Sequence, residues 1–439
     1  MKKSNFVIDY TSTQGKYYLF HTRHGSVISV DEGKKERLRQ ILAAPDSYAQ
    51  LPGMQTLRDF GFVVSNEINE YQQIVGRQIW TQLCEKNYLD LTLMPTEQCN
   101  FRCVYCYENF QKPSMSVFTQ DAIVRFVRQH LRNRKGLVVN WFGGEPLLAM
   151  NVIRRLSKEL IAICREEKKP YMASMTTNGY LLDLKTFEEL QHLRVNHFQI
   201  TVDGDQGTHD RQRFLRGGIP TYQKIMDNLN DIRLHARSRL WTITLRTNVT
   251  KTVIAHQESF QQEILIPFGN DRRFSVMLRQ MWTNFSEEAD SILCTDDEFN
   301  AFLENCGVDH ESLDQEYHFS HDLNFICYAS NPNSFVFGSD GTVYKCTLAL
   351  YDDINQVGKI NEKGVVVFDE ERLFYWIAPR AEKTAECIDC PNCGACASRC
   401  CPLKQDQQPC ESRNMELLRP FIPKFYHIAT QSADLTTEL

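Results

Sequence analysis

Cys99, Cys103 and Cys106 stand within eight residues of one another, in the spacing C-x3-C-x2-C. A second group, Cys387, Cys390, Cys393, Cys396, Cys400, Cys401 and Cys410, crowds a later stretch, and Cys84, Cys164, Cys294, Cys306, Cys327 and Cys346 are scattered. The chain has 439 residues and opens MKKSNFVIDYTSTQG, with no apolar run behind its lysines, so no secretory signal is read. In a reducing compartment, cysteines grouped in this way serve as metal ligands or redox groups more readily than as disulfides. A cubic [4Fe–4S] cluster usually takes four cysteines, so three in a tight group suggest a cluster with one iron left open. Zinc is the competing occupant, and it would want a fourth protein ligand unless bound water completes the site. Spacing alone leaves both readings standing.

The elements that must position these thiols are legible from periodicity. From residue 88 the chain alternates β-like and helical runs, with strands expected at 89–94, 137–142, 171–177, 197–203, 241–249 and 274–279. Between the first two, Ile123, Val124, Val127 and Leu131 make an apolar stripe at helical spacing, with Thr119 as its expected cap. Comparable stripes occur near 151–165 and 222–234. Six β/α repeats predict an α/β fold with a parallel sheet, either doubly wound or curled into a partial barrel. Ligands in such sheets bind at the carboxyl ends of the strands. The unusual residues fall there: TEQCNFRCVYC after the first strand, GGEP after the second, NGY after the third and DGD after the fourth. Taken singly, GGEP reads as a strand-to-helix turn, NGY as a type I′ turn and HDRQR as a solvated loop.

Residues 1–82 contain no clustered chemistry. Residues 16–30 read as two strands with a His-Gly turn, KKERLRQILAA as a helix, and Gly61 as a helix stop before a short strand. That order suits a small winged-helix-like domain or a cap on the main domain. The repeating β/α domain is expected over 83–320, a Cys-rich extension over 321–412, and a short helix with a mobile polar end over 413–439. Lys plus Arg number 49 against 55 Asp plus Glu, a net charge of −6 without long like-sign blocks. This argues against a nucleic-acid partner or an anionic membrane surface. No run of about 18 apolar residues occurs, so no membrane span is expected and the protein reads as cytoplasmic.

The stretch CNFRCVYCYE, down to the aromatic Tyr105 before the last cysteine, resembles the cluster-binding loop of the radical S-adenosylmethionine (SAM) enzymes. The resemblance implies a partial (β/α)6 TIM-like barrel, with Cys99, Cys103 and Cys106 holding a [4Fe–4S] cluster whose open iron chelates SAM. Gly143, Gly144 and Glu145, followed by Pro146, resemble the family segment that binds the methionine amino group. Thr177, Asn178 and Gly179, and then Thr201, Asp203, His209, Asp210 and Arg213, also resemble family motifs. By that resemblance Thr201 and an arginine among Arg211, Arg213 and Arg216, with Arg213 favoured, would hold the SAM carboxylate. Asn248 lies where the family places adenosine contacts.

Further along, Cys327, Gly341-x4-Cys346, Cys387-x2-Cys390-x5-Cys396-x3-Cys400 and Cys410 resemble the SPASM extension, found after the barrel in a subset of the family. The resemblance implies two auxiliary iron–sulfur clusters, of [4Fe–4S] type. Cys387, Cys390, Cys396 and Cys410 would complete one, and Cys327, Cys346 and Cys400 would supply three ligands of the other. Family members with a fully ligated first auxiliary cluster carry one more cysteine near the Cys327 position, and none lies between Cys327 and Cys346 here. Its fourth ligand is then an open position or one of Cys294, Cys306, Cys393 and Cys401. Cys84 and Cys164 read as buried apolar residues.

The implied activity is abstraction of a hydrogen atom from a ribosomally made precursor peptide by a 5′-deoxyadenosyl radical. An intramolecular thioether, carbon–carbon or ether cross-link would result, with a donor such as flavodoxin or ferredoxin supplying the starting electron. The N-terminal domain would bind a leader peptide as an added strand. Formylglycine generation on a sulfatase is the alternative. In that branch an Asp follows the cysteine of the GxxxxC element, where this chain has Thr347 after Cys346. A zinc-stabilised binding protein without SAM chemistry is the reading from outside the enzyme class.

Overall fold

The structure, a computed structural model, describes residues 1–80, 84, 87–281, 291–307, 327–377, 388–391, 393, 422–429 and 431–439. They belong to two units: residues 1–86, 311–332 and 375–439, and residues 87–310 and 333–374.

In the first unit, β1 (Lys2–Lys3) pairs with β5 (Val63–Val64), while β2 (Val7–Thr11), β3 (Lys16–His21) and β4 (Val27–Asp31) form an antiparallel meander. Helices α1 (Lys35–Ala43), α2 (Gly53–Asp59) and α3 (Glu70–Trp80) follow the meander or flank β5. Alternation along the strands sends Val7, Tyr17, Leu19, Ile28 and Val30 to one face, against Leu38, Ile41 and Leu42 of α1 and Met54 and Leu57 of α2. The other face presents Ile8, Phe20 and Val27 to Ile422. Ile422 opens the helix Ile422–Ile428, and β16 (Ser432–Asp434) then pairs parallel with β4. The expected short helix lies at Ile422–Ile428, and the polar end after it carries Leu435, which with Ile422 is a buried apolar anchor in a mostly polar stretch.

The second unit is built on β6 (Leu89–Leu93), β7 (Leu137–Trp141), β8 (Tyr171–Thr177), β9 (Val195–Thr201), β10 (Thr242–Val249) and β11 (Phe274–Gln280). All six are parallel and neighbour one another in chain order. Sequential order is that of a (β/α) barrel wall, whereas a doubly wound sheet reverses direction part-way. Helices α4 (Val117–His130), α5 (Met150–Glu166), α6 (Leu184–His192), α7 (Gln206–Gln212) and α8 (Tyr222–His235) fall between the strands. Ser116 caps α4 by accepting from the Thr119 N–H, so the capping role expected of Thr119 belongs to a residue three earlier.

Apolar strand residues face the helices. Phe187 of α6 packs against Phe198 of β9, and Phe126 of α4 against Phe335 and Phe337. The other face is polar: Ser174 Oγ donates to Asn140 Oδ1 (2.6 Å), and Asn140 Nδ2 to Asp90 Oδ1 (2.7 Å). Beside β6, residues 334–368 extend the same sheet through β12 (Ser334–Phe337), β13 (Thr342–Tyr344), β14 (Gln356–Ile360) and β15 (Val366–Phe368). β12 is parallel to β6, and the next three run antiparallel in turn. Among the described residues no helix is long and apolar enough to cross a membrane.

Candidate functional site

The loop after β6 carries Cys99, Cys103 and Cys106, and its shape is set by backbone pairing with the segment after α7. The Arg102 N–H donates to the Phe214 carbonyl (2.8 Å), the Val104 N–H to that of Gln212 (3.0 Å) and the Arg216 N–H to that of Asn100 (2.9 Å). That pairing delivers Arg213 beneath the cysteine loop. Of the three arginines weighed for the SAM carboxylate, Arg213 is buried, whereas Arg211 and Arg216 are exposed.

Tyr105 is the hub of a buried cluster. Its hydroxyl donates to Asp203 Oδ2 and accepts from Arg213 Nη1 (2.7 Å) and Asn248 Nδ2 (3.1 Å). Asp203 Oδ1 accepts from the Asn248 N–H at 2.8 Å. The ends of β9 and β10 are thereby bolted to the cysteine loop. Burial pushes the Asp203 carboxyl up, while the Arg213 charge and the Tyr105 hydroxyl work against that rise. Burial alone would lower the Arg213 pKa; Cys103, Tyr105 and Asp203 outweigh it and keep the guanidinium charged. Arg213 also lies over the Phe101 ring, and its Nε is buried without a hydrogen-bond partner. His209 completes the support: its Nδ1 accepts from the Asp203 N–H (3.2 Å), and its Nε2 faces Thr221 Oγ1 (3.2 Å). The HDRQR segment is therefore packed helix rather than solvated loop.

Gly143 and Gly144 make close approaches, but to the chain itself. A Cβ on Gly144 would lie 2.2 Å from the Gln98 carbonyl oxygen, and one on Gly143, at φ +91°, 2.8 Å from that of Thr96. These glycines let the turn after β7 sit directly on residues 96–98, immediately before Cys99. Glu145 is fully buried: Oε1 accepts from the Leu147 N–H (3.0 Å) and Thr177 Oγ1 (2.8 Å), and Oε2 from the Asn178 N–H (2.7 Å). Its two oxygens thereby tie the turn after β7 to the end of β8. Asn178 passes the tie onward through Nδ2, which donates to Asn100 Oδ1 (2.8 Å) and lies 3.9 Å from Cys99 Sγ. Only Gly179 of the NGY turn has positive φ, so the type I′ reading does not hold. Thr201 ends β9 half-buried, in register with Arg246 of β10.

Four charged residues were missed by sequence reasoning. Glu108 donates nothing and accepts from the Gly144 N–H (2.7 Å), and burial pushes its carboxyl up to about 7. Its position two residues past Cys106 was the only signal. Glu97 is buried with Oε1 3.3 Å from Lys112 Nζ, which also reaches Asp340 Oδ2 (3.3 Å) and the Tyr344 hydroxyl (2.7 Å).

Whether the cysteine loop suits an iron–sulfur cluster is a question of donor chemistry. Burial pushes the Cys99 and Cys106 thiols up to about 12 and raises that of Cys103. Metal-free, the three thiols are neutral, and iron would displace their protons. Among the described residues no three His, Cys, Asp or Glu side chains converge on one metal ion. A four-iron cube takes one thiolate per iron, so its thiolates stand further apart than the ligands of a single ion. The three cysteines and the orphaned Arg213 Nε fit a cluster with an anionic co-ligand. Of the auxiliary set, Cys346 is buried, and its N–H and carbonyl both bond the Asn355 amide (2.9 and 2.8 Å). Cys327 is exposed and Cys390 half-buried. Cys387, Cys396, Cys400, Cys401 and Cys410 lie outside the described residues.

Comparison with known proteins bears on this site as a whole. Residues 93–250, which include every residue of the cluster from Cys99 to Asn248, match the family model of the Radical SAM superfamily. The chain is 24% identical over 267 residues to the radical SAM cyclopropyl synthase TigE of Paramaledivibacter caminithermalis, covering 53% of this chain and 56% of that protein. It is 26% identical over 152 residues to the serine-type anaerobic sulfatase-maturating enzyme of Bacteroides thetaiotaomicron, covering 31% and 34%. The chain thus spans about half of the first of these two relatives and about a third of the second. Among solved structures it resembles anSMEcpe with bound AdoMet and Cp18Cys peptide, at a TM-score of 0.57 and 17% identity, covering 78% of this chain and 98% of that one. The last is a likeness of fold. Residues 93–250 are a radical SAM domain.

Proposed function

We propose that this chain is a radical SAM enzyme that oxidises a ribosomally made peptide and installs an intramolecular thioether, carbon–carbon or ether cross-link. The observation that carries the reading is the bolt of Tyr105, Asp203, Arg213 and Asn248 beneath the three-cysteine loop, at the carboxyl ends of parallel strands. When bound, the cluster and SAM supply a 5′-deoxyadenosyl radical able to take a hydrogen atom from an unactivated carbon. Cys99, Cys103 and Cys106 would hold the irons. Arg213, through its unpartnered Nε, and Thr201 at the end of β9 would bind the SAM carboxylate; the segment Gly143, Gly144 and Glu145 would meet the amino group, and Asn248 the adenosine. The polar sheet face of Asp90, Asn140 and Ser174 orients the peptide and keeps competing hydrogen donors away from the target carbon.

Cys327, Cys346 and Cys400, and Cys387, Cys390, Cys396 and Cys410, hold two auxiliary clusters in this reading. Such clusters would supply an acceptor for the second electron of a cross-link that removes two hydrogens from the peptide. A one-electron donor such as flavodoxin or ferredoxin primes the reaction. The peptide bound in anSMEcpe and the ring-forming name of TigE support a peptide substrate and bond formation. Formylglycine generation is the second reading, favoured by the sulfatase-maturating relative and opposed by Thr347 after Cys346.

The test is anaerobic reconstitution followed by SAM cleavage under dithionite, then mass spectrometry of a co-expressed short peptide. 5′-Deoxyadenosine should form, vanish in the triple variant Cys99→Ala, Cys103→Ala, Cys106→Ala, and accompany a loss of about two mass units per cross-link. Cleavage that survives the triple variant would end the proposal, and zinc in place of iron would favour a structural role.

A further inference from the structure

Asp90 is the one acidic residue in the six parallel strands β6–β11. It stands second in β6, between the buried Leu89 and Leu91, so alternation turns it to the polar face of the sheet. Its two oxygens are used unequally. Oδ1 accepts from Asn140 Nδ2 at 2.7 Å, and Asn140 is held in turn by Ser174 Oγ at 2.6 Å. Oδ2 meets Ser334 Oγ at 3.5 Å, the far limit of a hydrogen bond. Burial pushes the Asp90 carboxyl up, against the pull of the Asn140 and Ser334 contacts and of the Lys345 charge. A half-buried carboxylate of this kind is a stronger base than an exposed one.

The carboxylates around the cysteine loop are already engaged. Glu145 and Asp203 are buried, and each takes protein donors on both oxygens. Glu97 is buried and faces Lys112, and Glu108 accepts from the Gly144 N–H. Asp90 alone combines a place on the open sheet face with an oxygen that lacks a close partner among the described residues.

We propose that Asp90 is the proton acceptor of the cross-linking step, taking through Oδ2 the proton that the second peptide group gives up. This rests on the peptide cross-linking reading above. Joining a peptide carbon to a sulfur, an oxygen or a second carbon discards two hydrogens. One leaves the first carbon as a hydrogen atom and ends in 5′-deoxyadenosine. The other leaves the second group as a proton and an electron. The proton goes to the Asp90 carboxylate, which becomes the acid, and the electron to an oxidised auxiliary iron–sulfur cluster. Asn140 and Ser174 cannot replace the carboxylate, because an amide and a hydroxyl have no basic site at neutral pH. Their part is to occupy Oδ1 and so aim Oδ2 at the face.

The test reads the ratio of cross-linked peptide to 5′-deoxyadenosine, using the reconstituted chain and the short peptide of the co-expression experiment. Cluster loading and peptide affinity act on both products, so the ratio isolates the step after hydrogen abstraction. Asp90→Asn can keep the Asn140 bond but removes the base, and its ratio should fall at least about tenfold. Asp90→Glu should recover part of the loss. Asp90→Ala leaves a space of carboxylate size, so its ratio should rise with sodium formate and not with sodium chloride at equal ionic strength. An unchanged ratio in Asp90→Asn, or formate and chloride acting alike on Asp90→Ala, would overturn the proposal. Three variants that form no 5′-deoxyadenosine at all would overturn it too, since that pattern belongs to a folding role. An unaltered chain that forms 5′-deoxyadenosine and no cross-link removes the cross-linking reading itself. A cross-link made equally well by the unaltered chain and by Asp90→Asn removes the Asp90 assignment alone.

Discussion

The Tyr105 hydroxyl accepts from Arg213 Nη1 at 2.7 Å while donating to Asp203, and it also accepts from Asn248 Nδ2, so the residue just before the third cysteine is fastened to the ends of β9 and β10. The cysteine loop thus takes its position from β9 and β10 as well as from β6. Replacing Tyr105 by Phe keeps the ring and removes the hub. Arg213, Asp203 and Asn248 would each lose a buried partner, and one such loss costs about 1–3 kcal/mol. Tyr105→Phe should lower the thermal midpoint and reduce iron retained per chain after anaerobic reconstitution. Retention equal to that of the unaltered protein would show the bolt is dispensable for loading.

Gly144 offers a second check on the same loop. Its missing side chain leaves room for the Gln98 carbonyl, which a Cβ would approach to 2.2 Å, whereas a Cβ on Gly207 meets nothing within 4 Å. Backbone cannot be pushed aside cheaply in a close-packed turn. Gly144→Ala should therefore cost stability and iron loading, while Gly207→Ala, inside α7, should be neutral or stabilising by up to about 1 kcal/mol. Comparable losses in the two variants would mean that the close approach carries nothing.

Glu145 binds three donors with two oxygens, and an amide cannot replace it. Gln presents its NH2 to at least one of the donors that now point at carboxylate. Burial pushes the Glu145 carboxyl up, opposed by those same donors. Glu145→Gln should destabilise the second unit by about 1–3 kcal/mol. It should also loosen the tie from Asn178 to Asn100, read as a lower iron content at unchanged chain yield. A variant with full stability and full iron would place the carboxylate outside the supporting network.

How far the sequence carried the fold depends on where each element found its partners. The strands β6 to β11 were legible within two residues because each is a local alternation closed by a turn. The choice between a doubly wound sheet and a barrel wall was not, because strand order is a property of pairing between distant segments. β2 was overlooked because Val7–Thr11 is short and contains Asp9, whose carboxylate is satisfied by Tyr17 (2.9 Å) and Arg39 (3.2 Å), partners that lie well downstream. β16 was hidden for the same reason in stronger form, since its edge on β4 comes from the other end of the chain. At the site, cysteine spacing, the two glycines and Arg213 were readable as types. That Glu145 is bonded to Thr177 and Asn178 at the end of β8, and that Glu108 meets Gly144, required the folded geometry.

His21 gives a prediction in pH. Its Nδ1 accepts from the Arg23 and His24 N–H groups (3.3 and 3.2 Å), so Nε2 carries the hydrogen and donates to Ser4 Oγ (3.1 Å), which donates to Glu70. Burial, with His24 and Arg23 nearby, holds the His21 pKa well below 6.5. The unfolded chain, with an ordinary histidine pKa of about 6.5, binds the extra proton first as pH falls. The neutral ring's contribution is therefore complete above about pH 6.5 and is lost below it, by up to about 1.4 kcal/mol per pH unit. His21→Gln keeps a donor for Ser4 and cannot titrate. It should be less stable than the unaltered chain at pH 7.5, with the gap narrowing as denaturation is repeated at pH 6.0 and 5.0. A gap that stays constant or widens toward acid would show that His21 is not held neutral in the folded first unit.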